Sequence, residues 1–152
     1  MSAPRPPTQE EVQADLMRLE AYRNQLGALL QQHEYLSASQ TDHRRARETL
    51  EGLERIEAGS EFLIPVGGET FLRGSTVRDA KVLLGIGSGV VVEFERPKAS
   101  EVLADRIGKI QSARQELEGQ MSELEERIES LSERLEAMSR GRSAPPDDVG
   151  RD

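Results

Sequence analysis

An apolar residue recurs every three or four positions through the last third of the chain, and this spacing constrains the fold more than any other feature. A stripe that persists over so many turns is typical of a coiled coil, because a narrow seam then buries the apolar side chains against a partner helix. We predict a helix over residues 99–140, capped by Ser100 and stopped by Gly141. Its seam is formed by Leu103, Ile107, Ile110, Arg114, Leu117, Met121, Leu124, Ile128, Leu131, Leu135 and Met138.

A second, less regular stripe runs through the first third of the chain. Thr8 followed by Glu11 forms a capping box, and no proline occurs between Pro7 and Pro65. We predict a helix over residues 8–58, stopped by Gly59 and Ser60. Its seam is formed by Leu19, Tyr22, Leu26, Leu29, His33, Leu36, Gln40, His43, Arg47 and Leu50.

The middle of this first stripe is polar, at Gln40, His43 and Arg47, and two interpretations stay open. These side chains lie in the seam opposite Arg114, where they fix the register and weaken the coiled coil. Alternatively, the seam rotates locally and the stretch is a solvated face.

Between the helices, residues 60–97 have the pattern of two β-hairpins. The strand FLIPV (62–66) is followed by a turn at Gly67 and Gly68 and by ETFLRG (69–74). The strand KVLLGI (81–86) is followed by a turn at residues 87–89 and by VVVEFE (90–95). The period of two in the last strand indicates one buried face and one wetter face.

An isolated hairpin is marginally stable in water, and apolar strand edges pair with other strands. We therefore predict an obligate oligomer in which hairpins of several chains form a closed or nearly closed β-barrel. The fold class is mainly α: a long antiparallel two-helix coiled coil joined by two hairpins, with flexible tails at residues 1–7 and 141–152. The predicted assembly residues are Phe62, Ile64, Val66, Phe71, Val82, Leu84, Ile86, Val90, Val92 and Phe94.

Composition excludes several classes of function. The net charge of -8 opposes binding to nucleic acid or to an anionic membrane, and no cysteine is present for disulfides or thiolate metal sites. We find no signal peptide and no apolar run near the roughly 20 residues that span a bilayer, so the cytoplasm is the expected location. His33 and His43 are too far apart for a helical zinc pair, and GIGSG (85–89) precedes a strand rather than a helix. We predict no enzyme activity, catalytic residue, metal or cofactor.

The order helix, double hairpin, helix resembles the alpha-class subunit of prefoldin. The resemblance is carried by FLIPVGGETFLRG and by KVLLGIGSGVVVEF, and the presence of two hairpins indicates the alpha class. It implies a hexamer of two alpha-class and four beta-class subunits with a double β-barrel base. It further implies a chaperone that binds unfolded client proteins without nucleotide and passes them to the group II chaperonin. The alternative is a coiled-coil scaffold or spacer subunit that binds no client.

If the helices are antiparallel, the numbers of facing residues sum to about 155, so Leu50 lies near Leu103 and Leu16 near Met138. The first turns of the first helix then meet the last turns of the second. Leu and Met side chains at such an end suit varied unfolded chains, because Met repacks easily around irregular partners. The alternative is that these side chains only pack against each other and close the seam. The candidate client-binding residues are Val12, Leu16, Met17, Leu19, Leu131, Leu135 and Met138.

Overall fold

The computed structural model describes residues 5–142, with only the backbone of Arg142. Two long helices flank four short strands: α1 (Gln9–Glu54), β1 (Glu61–Gly67), β2 (Thr70–Ser75), β3 (Val82–Gly87), β4 (Val90–Phe94) and α2 (Arg96–Arg142). The predicted fold of two helices and two hairpins is confirmed. The tails predicted at the two ends lie mostly outside the described residues, at positions 1–4 and 143–152.

The start of α1 is the predicted capping box. The backbone N–H of Glu11 donates to Thr8 Oγ1 at 3.2 Å, and the N–H of Thr8 donates to Glu11 Oε2 at 2.8 Å. Two amides that no helical carbonyl can reach are thereby satisfied.

The end of α1 differs from the predicted boundary at residue 58, because the helix stops at Glu54. The following residues turn to join the first hairpin. Gly59, at φ +87°, donates its N–H to the Thr76 carbonyl at 2.8 Å, and Thr76 donates to the Ser60 carbonyl at 2.9 Å. These bonds extend the hairpin ladder and take the chain out of the helix.

The predicted cap of α2 at Ser100 is wrong. The helix begins at Arg96, so Pro97 lies in its first turn, where the missing N–H of proline costs nothing. Ala99 already donates its N–H to the Glu95 carbonyl at 2.9 Å. Gly141 is not the stop either, because the helix continues to Arg142.

The chain forms two compact units, one made of residues up to Glu34 and from Gln115 onward, and the other of Tyr35–Arg114. In the first, which we call the helical unit, the opposing ends of α1 and α2 pack antiparallel around an apolar seam. His33 Nε2 lies 2.8 Å from Glu118 Oε1 across this seam. The buried apolar residues of the unit are Leu19, Leu117 and Leu124.

The second unit, which we call the hairpin unit, contains the rest of both helices and all four strands. Its core is the buried cluster of Leu84, Ala99 and Leu103, which joins β3 to the start of α2. Leu50 of α1 also packs on this cluster, as the predicted pairing with Leu103 requires. Arg106 Nη2 donates to the Gly85 carbonyl at 2.6 Å and provides a polar link between α2 and β3.

The polar middle of α1 lies in the seam. Gln40 is buried and His43 is half-buried, while Arg47 faces solvent and pairs with Glu51. Arg114 Nη1 donates to Gln40 Oε1 at 2.6 Å, as the predicted register expects. Gln40 and His43 therefore lie in the seam, whereas Arg47 lies on the solvated face.

Both hairpins close with two-residue turns; the first is displaced by one residue from the predicted turn at Gly67 and Gly68, and the second lies within the predicted residues 87–89. In the first, Gly67 pairs with Thr70, so the turn is Gly68-Glu69 with φ of 54° and 57°. The second turn is Ser88-Gly89, with φ of 51° and 74°. Two successive positive φ values are the pattern of a type I′ turn, whose twist matches that of the strands. A β-bulge precedes each turn, between Pro65 and Gly67 and between Gly85 and Gly87, and the first bulge accounts for the displacement of the first turn.

Candidate functional site

The first hairpin (β1–β2) exposes apolar side chains on both of its faces. Phe62 pairs with Gly74 and Ile64 with Leu72, so these side chains share one face. Leu63, Pro65 and Phe71 form the other face. No residue of the hairpin is buried. Exposed apolar surface of this kind is typical of protein–protein interaction sites.

Gly74 makes room for the aromatic and aliphatic side chains on its face. A Cβ at this position would lie 3.0 Å from Ile64 Cδ1 and 3.1 Å from Phe62 Cζ. The glycine lets these two side chains lie flat across β2.

The second hairpin (β3–β4) packs one face on α2. Val82, Leu84 and Phe94 belong to the core cluster or contact it, and Val92, the cross-strand partner of Leu84, is half-buried. These four predicted assembly residues therefore face their own chain, whereas the predicted residues Ile86 and Val90 are exposed.

Sequence reasoning missed the outer face of this second hairpin. Leu83 is 69% exposed and Val91 is 57% exposed, and both point away from the core cluster. The signal was present in the runs VLL (82–84) and VVV (90–92), because strands apolar at every position are typical of sheets covered on both faces.

The hairpins also have open edges. Each is a separate two-stranded sheet, so within residues 5–142 every strand has one edge without a neighbouring strand. Open edges combined with exposed apolar faces favour pairing with strands of another chain.

The second candidate surface is the end of the helical unit, which we call the tip and define as residues 12–19 and 131–138. The seven predicted client-binding residues do not share one environment there. Leu16 and Met17 are exposed, Leu19 is buried, and the others, Val12, Leu131, Leu135 and Met138, are half-buried.

A carboxylate occupies the tip seam, which sequence reasoning missed. Asp15 is 2% exposed, while the adjacent Leu16 is 52% exposed. Asp15 Oδ2 lies 3.2 Å from Arg134 Nε in an ion pair without hydrogen-bond alignment, and Oδ1 lies 3.6 Å from Arg18 Nη1. The rule that facing numbers sum to about 155 would place Arg140 opposite Asp15 instead. The signal was present in the spacing, because the alternating steps of three and four, continued back from Leu19, reach residue 15 rather than Leu16.

The capping box also changes the pKa of one carboxyl group near the tip, that of Glu11. The N–H of Thr8 lowers the pKa of Glu11 from its ordinary value of 4.5, since a donated hydrogen bond stabilises the carboxylate.

Within residues 5–142, no cluster of three or more His, Asp or Glu residues has the arrangement of a metal site. Over the same residues, neither helix is apolar enough over a sufficient length to cross a membrane.

Comparison with known proteins gives this architecture a family. The family model described as prefoldin subunit matches residues 22–140, which include both hairpins and most of both helices. The chain belongs to the prefoldin family. This is a family of chaperones and not of enzymes, and the chain is accordingly assigned as a prefoldin chaperone subunit.

Relatives of this prefoldin subunit support the alpha class. It is 32% identical over 117 residues to prefoldin subunit alpha of Methanopyrus kandleri, a match that covers 74% of each chain. It is also 32% identical over 114 residues to prefoldin subunit alpha of Archaeoglobus fulgidus, a match covering 75% of this chain and 83% of that one. The resemblance to alpha-class subunits is therefore confirmed.

Solved structures support the fold. A filamentous prefoldin from Methanocaldococcus jannaschii, solved by cryo-EM, aligns with a TM-score of 0.65 at 28% identity and covers 74% of this chain and 93% of that one. The prefoldin beta subunit from Thermococcus strain KS-1 aligns with a TM-score of 0.57 at 22% identity and covers 95% of this chain and all of that one.

Proposed function

We propose that this prefoldin subunit assembles through its hairpins with beta-class subunits and that the assembled complex holds unfolded proteins at the tip. It acts without nucleotide, metal or catalysis, in the cytoplasm, and releases its clients to a group II chaperonin. The observation that carries the assembly proposal is the first hairpin, which is apolar on both faces and buries no residue in its own chain.

The assembly surface is smaller on the second hairpin than the sequence suggests. Because Val82, Leu84 and Phe94 contact their own chain, we assign them the role of holding the hairpin on α2. The exposed apolar side chains are the ones available to partner strands. This revised set consists of Phe62, Leu63, Ile64, Val66, Phe71, Leu72, Leu83, Ile86, Val90 and Val91.

Native mass spectrometry of the chain, alone and mixed with a beta-class subunit, tests this assembly. We expect a hexamer of two alpha-class and four beta-class chains. Leu72→Asp places a charge on the first hairpin and should abolish the hexamer while helical circular dichroism is retained. Leu30→Asp is the matched control, because it makes the same change at a side chain that is 47% exposed on α1, outside the hairpins. A Leu72→Asp chain that still forms the hexamer would remove the hairpin from the interface.

A heterologous interface that does not close forms a filament rather than a ring. One structural relative is filamentous, so long polymers of this chain alone are a defined alternative outcome of the same measurement. Their appearance in place of the mixed hexamer would contradict the proposed stoichiometry.

The client proposal rests on the exposed Leu16 and Met17, which are adaptable apolar side chains next to a seam. Its test is light scattering from a denatured, aggregation-prone protein mixed with the assembled complex in the absence of nucleotide. We expect suppression of aggregation, and a weaker effect with Leu16→Ser and Met17→Ser together. Tyr35→Ser is the control, because Tyr35 is 72% exposed on α1 but lies outside the tip.

The scaffold alternative predicts the opposite result in that assay. An intact assembly that gives no protection against aggregation would favour a spacer role. Transfer is tested by adding a group II chaperonin with ATP to the client-loaded complex, where the proposal expects recovery of folded client.

A further inference from the structure

The tip holds two adjacent residues that compete for one seam position. Successive residues of an α-helix are about 100° apart around its axis, so a local rotation of that size would exchange Asp15 and Leu16. The structure has the carboxylate inside and the leucine outside. Transfer of the two side chains from water favours the reverse, because leucine gains and a carboxylate loses, whereas the seam spacing continued back from Leu19 places residue 15 inside.

The ion pair with Arg134 is the polar interaction that opposes this reversal. Arg134 Nε reaches Asp15 Oδ2 from α2, and Arg18 approaches the other oxygen from within α1. Both arginines keep most of their own surface in water, while Asp15 is enclosed. A paired and buried charge accepts only one register, whereas apolar contacts accept several.

We propose that Asp15 and Arg134 are positioning residues that fix the rotation of α1 at the tip and thereby keep Leu16 exposed for unfolded clients. This inference rests on the proposed client binding. Without the pair, Leu16 turns into the seam, residue 15 turns out, and the tip loses part of its apolar surface. The pair thus keeps Leu16 exposed, although burial of that leucine would stabilise the paired helices more.

Because the chain contains no cysteine, one substitution serves as both perturbation and reporter. Asp15→Cys removes the carboxylate and places a thiol at residue 15 while Leu16 stays intact. We measure its reaction with a maleimide in the full-length chain. Met17→Cys provides the rate of an exposed thiol, and Leu19→Cys provides the rate at a buried seam position of the same helix.

We expect Asp15→Cys to react within a few-fold of the Met17→Cys rate. Adding Leu16→Ala removes the side chain that drives the rotation, so the thiol at residue 15 should then fall toward the Leu19→Cys rate. If Asp15→Cys reacts as slowly as Leu19→Cys, packing alone buries residue 15 and the proposal fails. If Leu16→Ala leaves the thiol equally reactive, fraying rather than rotation exposes it, and the proposal also fails.

The link to clients is tested by light scattering with the assembled complex. Asp15→Asn and Arg134→Gln should each reduce suppression of aggregation several-fold, and the double variant should lose no more than either one. Glu20→Gln is the control, because it removes one negative charge from an exposed site on the same helix. Rotation without reduced capture would overturn the client role of the pair. Absence of capture by the unmodified complex would instead refute the proposed function and leave the thiol result standing.

Discussion

Replacing Leu84 with alanine should release the second hairpin from α2. Leu84 is buried against Ala99 and Leu103, and truncating a buried leucine costs about 2–5 kcal/mol. The cluster is small and its other apolar neighbours are only partly buried, so we expect the lower half of that range, about 2–3 kcal/mol. Since about 1.4 kcal/mol corresponds to a factor of ten in an equilibrium, the detached population should rise roughly 30- to 150-fold.

Amide hydrogen exchange in the unassembled chain measures this detachment. Exchange of the β3 and β4 amides should accelerate in Leu84→Ala, up to the limit set by global unfolding. Leu83→Ala is the matched control one residue away, and its exposed side chain predicts almost no change. When beta-class subunits are added, Leu83→Ala should weaken assembly more than Leu84→Ala does, because Leu83 belongs to the proposed interface. Equal acceleration by both substitutions in the unassembled chain would refute the division of this hairpin into a core face and an outer face.

Three further predictions concern single contacts. Gln40→Leu removes the Oε1 atom that accepts a hydrogen bond from Arg114 Nη1, and it should lower the free energy of unfolding by about 1–3 kcal/mol in urea titrations. Adding Arg114→Leu should restore that free energy, because the buried charge is then removed as well. An equal loss in the single and double variants would contradict this. Because the pKa of Glu11 is lowered on folding, its stabilisation of the helix start is present above pH 4.5 and is lost as the pH falls through the lowered pKa. Exchange of the first α1 amides should therefore accelerate on acidification relative to the intrinsic rate, and Glu11→Gln should abolish this dependence; an unchanged dependence would exclude the capping carboxylate. Gly74→Val should displace the side chains across β2 and weaken the mixed hexamer in native mass spectrometry, while a fully assembled variant would show that the face tolerates a bulkier residue.

Elements with a local physical cause were predictable from the sequence. The capping box needs only Thr8 and Glu11, and the heptad spacing already identifies the buried residues Leu103, Leu117 and Leu124. The existence of both hairpin turns also followed from their glycines. The position of the first turn did not, because a β-bulge moves it by one residue, and alternation of side chains does not reveal a bulge.

The candidate surfaces were predictable as regions but not residue by residue. Val82 and Leu83 are equally apolar, and only the packing of the hairpin on α2 decides which one faces the core. Asp15 is the clearest failure: the seam spacing continued back from Leu19 reaches residue 15, but residue type favours the adjacent Leu16. The ion pair with Arg134, far along the chain, could not be read from local residues.

Photo-crosslinking from the tip tests the central claim most directly. A photoreactive maleimide is attached to Met17→Cys in the assembled complex, a denatured client is added without nucleotide, and crosslinked client is measured after illumination. Tyr35→Cys carries the same probe at a comparably exposed position outside the tip. We expect strong crosslinking from residue 17 and little from residue 35. Equal crosslinking from both positions, or none from residue 17 while the complex still suppresses aggregation, would contradict it.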